Sequence, residues 1–157
     1  MLVFQTALLV LTALAGVQAL DFSASQWIWT TDVSNGLAPV ATRAFRKEFV
    51  ARAGKTPVEA DIIITTDNSF DLYVNDNLVG SSVDWRYAAR FCVPLTDCLN
   101  VFAVNATNGG LAPNLAAPNA AGLLVAIQMR VTFLAWPSGL YRRRMAFFGL
   151  GVDLAVK

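Results

Sequence analysis

Asp84-Trp85-Arg86-Tyr87-Ala88-Ala89-Arg90 brings together residue types that suit a sugar ring. One side of a pyranose is largely C–H and rests against a flat aromatic ring, while planar carboxylate and guanidinium groups fix the hydroxyls. Asp84, Trp85, Tyr87 and Arg90 are therefore candidate carbohydrate-binding residues, carried on a loop or a single helical turn. Trp85 and Tyr87 would serve equally well to cover an edge of the core. Trp27 and Trp29 share one face of an extended segment by period two, giving either a second aromatic plate or more core.

Other chemistries find less support. Histidine is absent from the chain, which removes the commonest general base and zinc ligand and excludes a Ser-His mechanism. Glycoside cleavage needs two positioned carboxyls, and the acids here fall mostly in turns. No glycine-rich phosphate loop or cysteine-nucleophile pattern is present. The expectation is a binding protein and not an enzyme. Asp67, Asn68, Asp71 and Asp76 offer oxygens to calcium, yet their spacing matches no EF-hand loop and turn formation explains them equally.

The elements that must position these residues read as strands. Met1 to Ala19 has an apolar core from Ala7 to Ala15 and small residues at Val17 and Ala19, the pattern of a cleaved secretory leader, although no Lys or Arg precedes the core. Secretion implies an extracellular chain with no integral membrane span after cleavage. It also sets expectations for three later positions. Cys92 and Cys98 are expected to form a local disulfide, and Asn105-Ala106-Thr107 is expected to carry an N-linked glycan. Residues 20–130 carry eight basic and ten acidic residues, so this body has no basic field of the kind nucleic acid requires.

From Leu20 to Gln128 short apolar runs alternate with turn signals. Trp27–Trp29, Ala41–Val50, Val58–Thr66, Phe70–Val74, Leu78–Val79, Cys98–Val104 and Leu123–Gln128 read as strands, with Asn75-Asp76-Asn77 as a hairpin turn. With no amphipathic helix in this region, the class is all-β, an antiparallel sandwich. Residues 131–157 break the alternation and cluster Arg142, Arg143 and Arg144. They read either as a basic aromatic tail or as sequence foreign to the domain, which would leave the sandwich incomplete at its C-terminal side.

Trp27-Ile28-Trp29, Ala44-Phe45-Arg46-Lys47-Glu48-Phe49, Ala60-Asp61-Ile62-Ile63-Ile64, Thr66-Asp67-Asn68-Ser69-Phe70-Asp71-Leu72-Tyr73-Val74-Asn75 and Val79-Gly80 follow one another in that order. Over residues 20–128 this resembles the galactose-binding-domain-like β-sandwich found beside rhamnosidase catalytic domains and in small secreted fungal proteins. The resemblance implies a jelly-roll fold, often with bound calcium, and recognition of a glycan or polysaccharide in some members. It assigns no ligand position in this chain. An extracellular structural or protein-interaction domain is the other reading.

Overall fold

The computed structural model describes residues 19–110, 117–133 and 140–145. The strands are β1 (Ala41–Val50), β2 (Lys55–Asp67), β3 (Ser69–Val74), β4 (Asn77–Ser82), β5 (Ala89–Pro94), β6 (Leu99–Asn108), β7 (Gly122–Phe133) and β8 (Leu140–Met145). They form two antiparallel sheets, ordered β1-β6-β3-β4 and β5-β2-β7-β8. Among the described residues there is no helix long and apolar enough to cross a membrane.

Alternation explains both layers. In β2, Ala60, Ile62 and Ile64 are fully buried, and in β6 Phe102, Val104 and Ala106 face them from the other sheet. Phe45, Phe70, Leu72, Leu123, Ile127 and Met129 complete the core. Each large apolar side chain removed from water here is worth about 1.5–3 kcal/mol. Positive φ at Asn75 and Asp76 closes the β3–β4 hairpin, as their types predict. Pro57 stands where the β2–β7 register shifts, a position that costs the ladder little.

Several sequence expectations change. Trp27–Trp29 is not a strand: only Ile28 joins the sheet, through a single bridge to Leu123. The segment Ala89–Pro94, outside the strands expected from the sequence, is strand β5, and β2 begins at Lys55 rather than Val58. The sheet also continues past residue 130. β7 runs to Phe133, and β8 pairs with it from Thr132↔Leu140 to Ile127↔Met145. Part of the C-terminal segment therefore completes the second sheet as its edge strand. All but the last residue of the expected leader (residues 1–18), and residues 111–116, 134–139 and 146–157, lie outside the described residues.

Cys92 and Cys98 are free, exposed thiols and not a disulfide. Cys92 alternates with buried Val93, and so faces outward from β5 in the second sheet. Cys98 immediately precedes β6 of the first sheet, where its carbonyl accepts from the Ala51 N–H. The chain changes layers between the two sulfurs. A hydrogen bond and the negative charge of Asp97 push the Cys98 thiol up from its ordinary value.

Candidate functional site

The outward positions of β2 are Glu59, Asp61, Ile63, Thr65 and Asp67, because the intervening residues point into the core. On β7 the same face holds Arg130, Gln128, Ala126, Leu124 and Gly122, and on β5 it holds Pro94, Cys92 and Arg90. Cross-strand partners share a face. Asp67 and Gly122 are such partners.

Gly122 is where an aromatic ring lands. A Cβ built on it would meet Trp27 Cε3 at 2.5 Å, so the indole occupies the space above this glycine. Trp27 nevertheless remains 53% exposed. Its ring thus lies on the same face as the Asp67 side chain, one strand away. The Ile28–Leu123 bridge, with N···O distances of 3.0 and 2.9 Å, holds it there. Trp29 turns the other way, packs its ring 5.7 Å from Phe45 and joins the core, so the two tryptophans are not one plate.

The corner around Asp67 is rich in oxygen. The Asp67–Asn68 peptide is cis. Asn68 accepts the Gly109 N–H on its side-chain oxygen at 2.5 Å, and its own N–H donates to Thr107 O at 2.8 Å. Asn119 closes the corner by donating to Gly109 O. Burial alone pushes the Asp67 carboxyl above its ordinary value, and among the described residues it has no hydrogen-bond or ion-pair partner. Thr66 Oγ1 and Asn108 Oδ1, on almost wholly buried side chains, also lack partners among the described residues.

The loop singled out in the sequence approaches this corner. Thr65, two residues from Asp67 on the same face, donates its hydroxyl to the Trp85 carbonyl at 2.8 Å. Trp85 is 51% and Tyr87 70% exposed, so neither covers the core. Asp84 bonds Arg86 through both carboxylate oxygens, at 2.8 and 2.7 Å, which holds its carboxyl below the usual range. The Arg86 guanidinium lies 5.9 Å from the Tyr87 ring centre. Asp84, Trp85 and Tyr87 therefore remain together.

Arg90 separates from them. It lies on β5 and forms a two-pronged pair with Asp61 across the sheet, at 2.8 and 2.5 Å. Arg86, absent from the sequence-based set, is the partner Asp84 uses. Asn105 lies exposed on β6, between Ala44 and Asp71 on the outer face of the opposite sheet.

Calcium, implied by the resemblance, does not fit this corner as a ligand set. Asp67 is its one outward carboxylate, while Thr66 alternates with it and points into the core, and Asn108 is wholly buried. Asp71 and Asp76 do not belong to that set. Asp71 accepts the Ser81 hydroxyl at 2.5 Å, and Asp76 occupies the exposed hairpin turn. No group of three or more His, Cys, Asp or Glu suited to a metal exists among the described residues.

No family model matches the sequence, and no curated protein does. Solved structures do match. The lectin of Pleurotus ostreatus, solved in complex with GalNAc and in an apo form, aligns with 80% of this chain at 36% identity and a TM-score of 0.64. The chain spans 33% of that lectin's length. An α-L-rhamnosidase of Streptomyces avermitilis, solved with L-rhamnose, aligns with the same share at 25% identity and a TM-score of 0.57, over 12% of its own length. The two-sheet architecture and these neighbours agree with the galactose-binding-like β-sandwich to which the sequence motifs point.

Proposed function

We propose that this chain is a non-catalytic, lectin-like module that acts outside the cell and binds a neutral hexose such as GalNAc at the Asp67 corner. One observation carries the reading: an exposed indole lies over Gly122, on the same face as the partnerless carboxyl of Asp67. The C–H side of a sugar ring would stack on Trp27, and its hydroxyls would donate to Asp67. Trp85 and Tyr87 would border the ring from the adjoining loop. The likeness to a lectin solved with GalNAc supports this choice of ligand class. The leader-like N-terminus supports secretion.

Titration of the purified chain with GalNAc, alongside a glycan array, tests the proposal. Trp27→Ala and Asp67→Asn should each abolish or strongly weaken binding with the fold intact, and Trp85→Ala should weaken it less. An array with no reproducible saccharide hit would sink the idea. A second reading, a protein-docking surface, draws on Val83, whose exposure of 86% is the highest among the described large hydrophobic residues. In that case Val83→Ser should abolish capture of a protein partner and leave sugars out of the matter.

A further inference from the structure

The Asp67 corner has two flanks, and each carries an exposed indole. On one flank Trp27 lies over Gly122 of β7, the cross-strand partner of Asp67, and is 53% exposed. The other flank is the loop between β4 and β5, whose Trp85 is 51% exposed. That loop feeds Ala89, which pairs with Ile64 along the edge of β2 away from β7. Strand β2, with Thr65 and Asp67 on its outward side, therefore runs between the supports of the two rings. One to two strand spacings set their span, roughly 5–10 Å.

The loop that carries Trp85 is held by hydrogen bonds of its own. Thr65 Oγ1 donates to Trp85 O at 2.8 Å. Thr65 is only 6% exposed although its position faces outward, so the loop backbone lies against β2. The Asp84 carboxylate accepts the Arg86 N–H at 3.1 Å, and the Asp84 carbonyl accepts the Tyr87 N–H at 3.3 Å, closing a turn around Trp85. A plate whose backbone is already ordered loses little freedom when a ligand arrives.

A pyranose presents one flat C–H side, so one ring satisfies one indole. Two exposed indoles on opposite flanks of one carboxyl suit two linked rings. We propose that the site takes a neutral oligosaccharide of two or more hexoses laid across β2, one ring on Trp27 and the next toward Trp85, with Thr65 as the positioning residue of Trp85. This rests on the neutral-hexose reading of the Asp67 corner and extends it from a single sugar to a chain. An acidic glycan fits less well, because Arg86 and Arg90 are already paired with Asp84 and Asp61. An apolar protein surface fits less well too, because it would cover the Asp67 carboxyl without offering it a donor.

A glycan array ranks neutral saccharides by length. Calorimetry on the full chain then compares GalNAc and galactose with lactose, galactobiose and the strongest neutral disaccharide of the array. For wild type, that disaccharide binds roughly tenfold tighter than its terminal sugar alone. Trp85→Ala removes this gain and weakens GalNAc binding by less than about threefold, whereas Trp27→Ala and Asp67→Asn weaken both. Thr65→Val keeps the branched shape a strand favours but deletes the donor; it loses most of the gain, and Thr65→Ser keeps it. Val83→Ser, on the same loop, leaves the gain unchanged. In wild type, the disaccharide slows N-bromosuccinimide oxidation of both Trp27 and Trp85, while GalNAc protects Trp27 far more than Trp85. That readout needs no variant to fold. An array on which no neutral oligosaccharide exceeds its own monosaccharide would overturn the proposal and leave the hexose site standing. A gain that survives Trp85→Ala, or that Val83→Ser removes as fully, would do the same. A chain that binds no saccharide at all would refute the hexose site and this proposal with it.

Discussion

Asp67→Asn separates function from stability at one atom. Burial without a partner raises the Asp67 carboxyl above the unfolded value of 3.8, so the folded chain binds the proton more tightly than the unfolded one. Stability then falls as pH rises from the unfolded value through the raised folded value, and the penalty is fully present at neutral pH. The amide cannot ionise, so Asp67→Asn should be at least as stable as wild type at pH 7 and should lose wild type's decline between acid and neutral pH. Ligand binding should respond in the opposite sense. A hydrogen bond to a charged acceptor contributes about 1.5–3 kcal/mol, which corresponds to roughly a ten- to hundredfold loss of GalNAc affinity. Urea denaturation at several pH values, with calorimetric GalNAc titration of both proteins, measures the two effects. A variant markedly less stable than wild type at pH 7 would show that the carboxylate has a partner and that the reasoning is wrong. Undiminished affinity would remove Asp67 from the site.

Gly122→Ala inserts a methyl where the Trp27 ring lies 2.5 Å away, so the ring must shift; weakened GalNAc binding with little change in unfolding midpoint is the expected result. Asn100→Ala should destabilise the chain by at least about 2 kcal/mol in urea, since the buried amide serves the Thr96 N–H, the Thr96 carbonyl and the Asn75 amide together. Asp61→Asn combined with Arg90→Gln should leave the urea midpoint nearly unchanged, because the Arg90 guanidinium of this pair faces solvent. Asn105→Gln should remove a glycosidase-sensitive mass from protein secreted by a eukaryotic host; identical masses for variant and wild type would count against that glycan.

The all-β class was readable from the sequence because period-two alternation in Ala41–Val50 and Phe70–Val74 admits no other burial pattern. The Asn75-Asp76-Asn77 turn was readable as well, since these residue types tolerate positive φ. β5 was hidden because Arg90, Cys92 and Pro94 alternate with only three inward residues, too short a run to outweigh a proline and an arginine. β8 was hidden for a related reason: three consecutive arginines carry no alternation, and only pairing with β7 makes them a strand.

For the candidate site, the sequence determined the inventory. It named Asp84, Trp85 and Tyr87 as a local group, and their nearness along the chain kept them together in space. It could not place Arg90 with Asp61, which lies 29 residues away, or Trp27 over Gly122, the cross-strand partner of Asp67, because those placements depend on strand register. The cysteines show the same limit from the other side. Five intervening residues looked short enough for a bridge, but the chain crosses from one sheet to the other within them. Residue types and their local spacing come from the sequence; which residues share a face, and which carboxyl is left without a partner, is decided by how the two sheets pair and close.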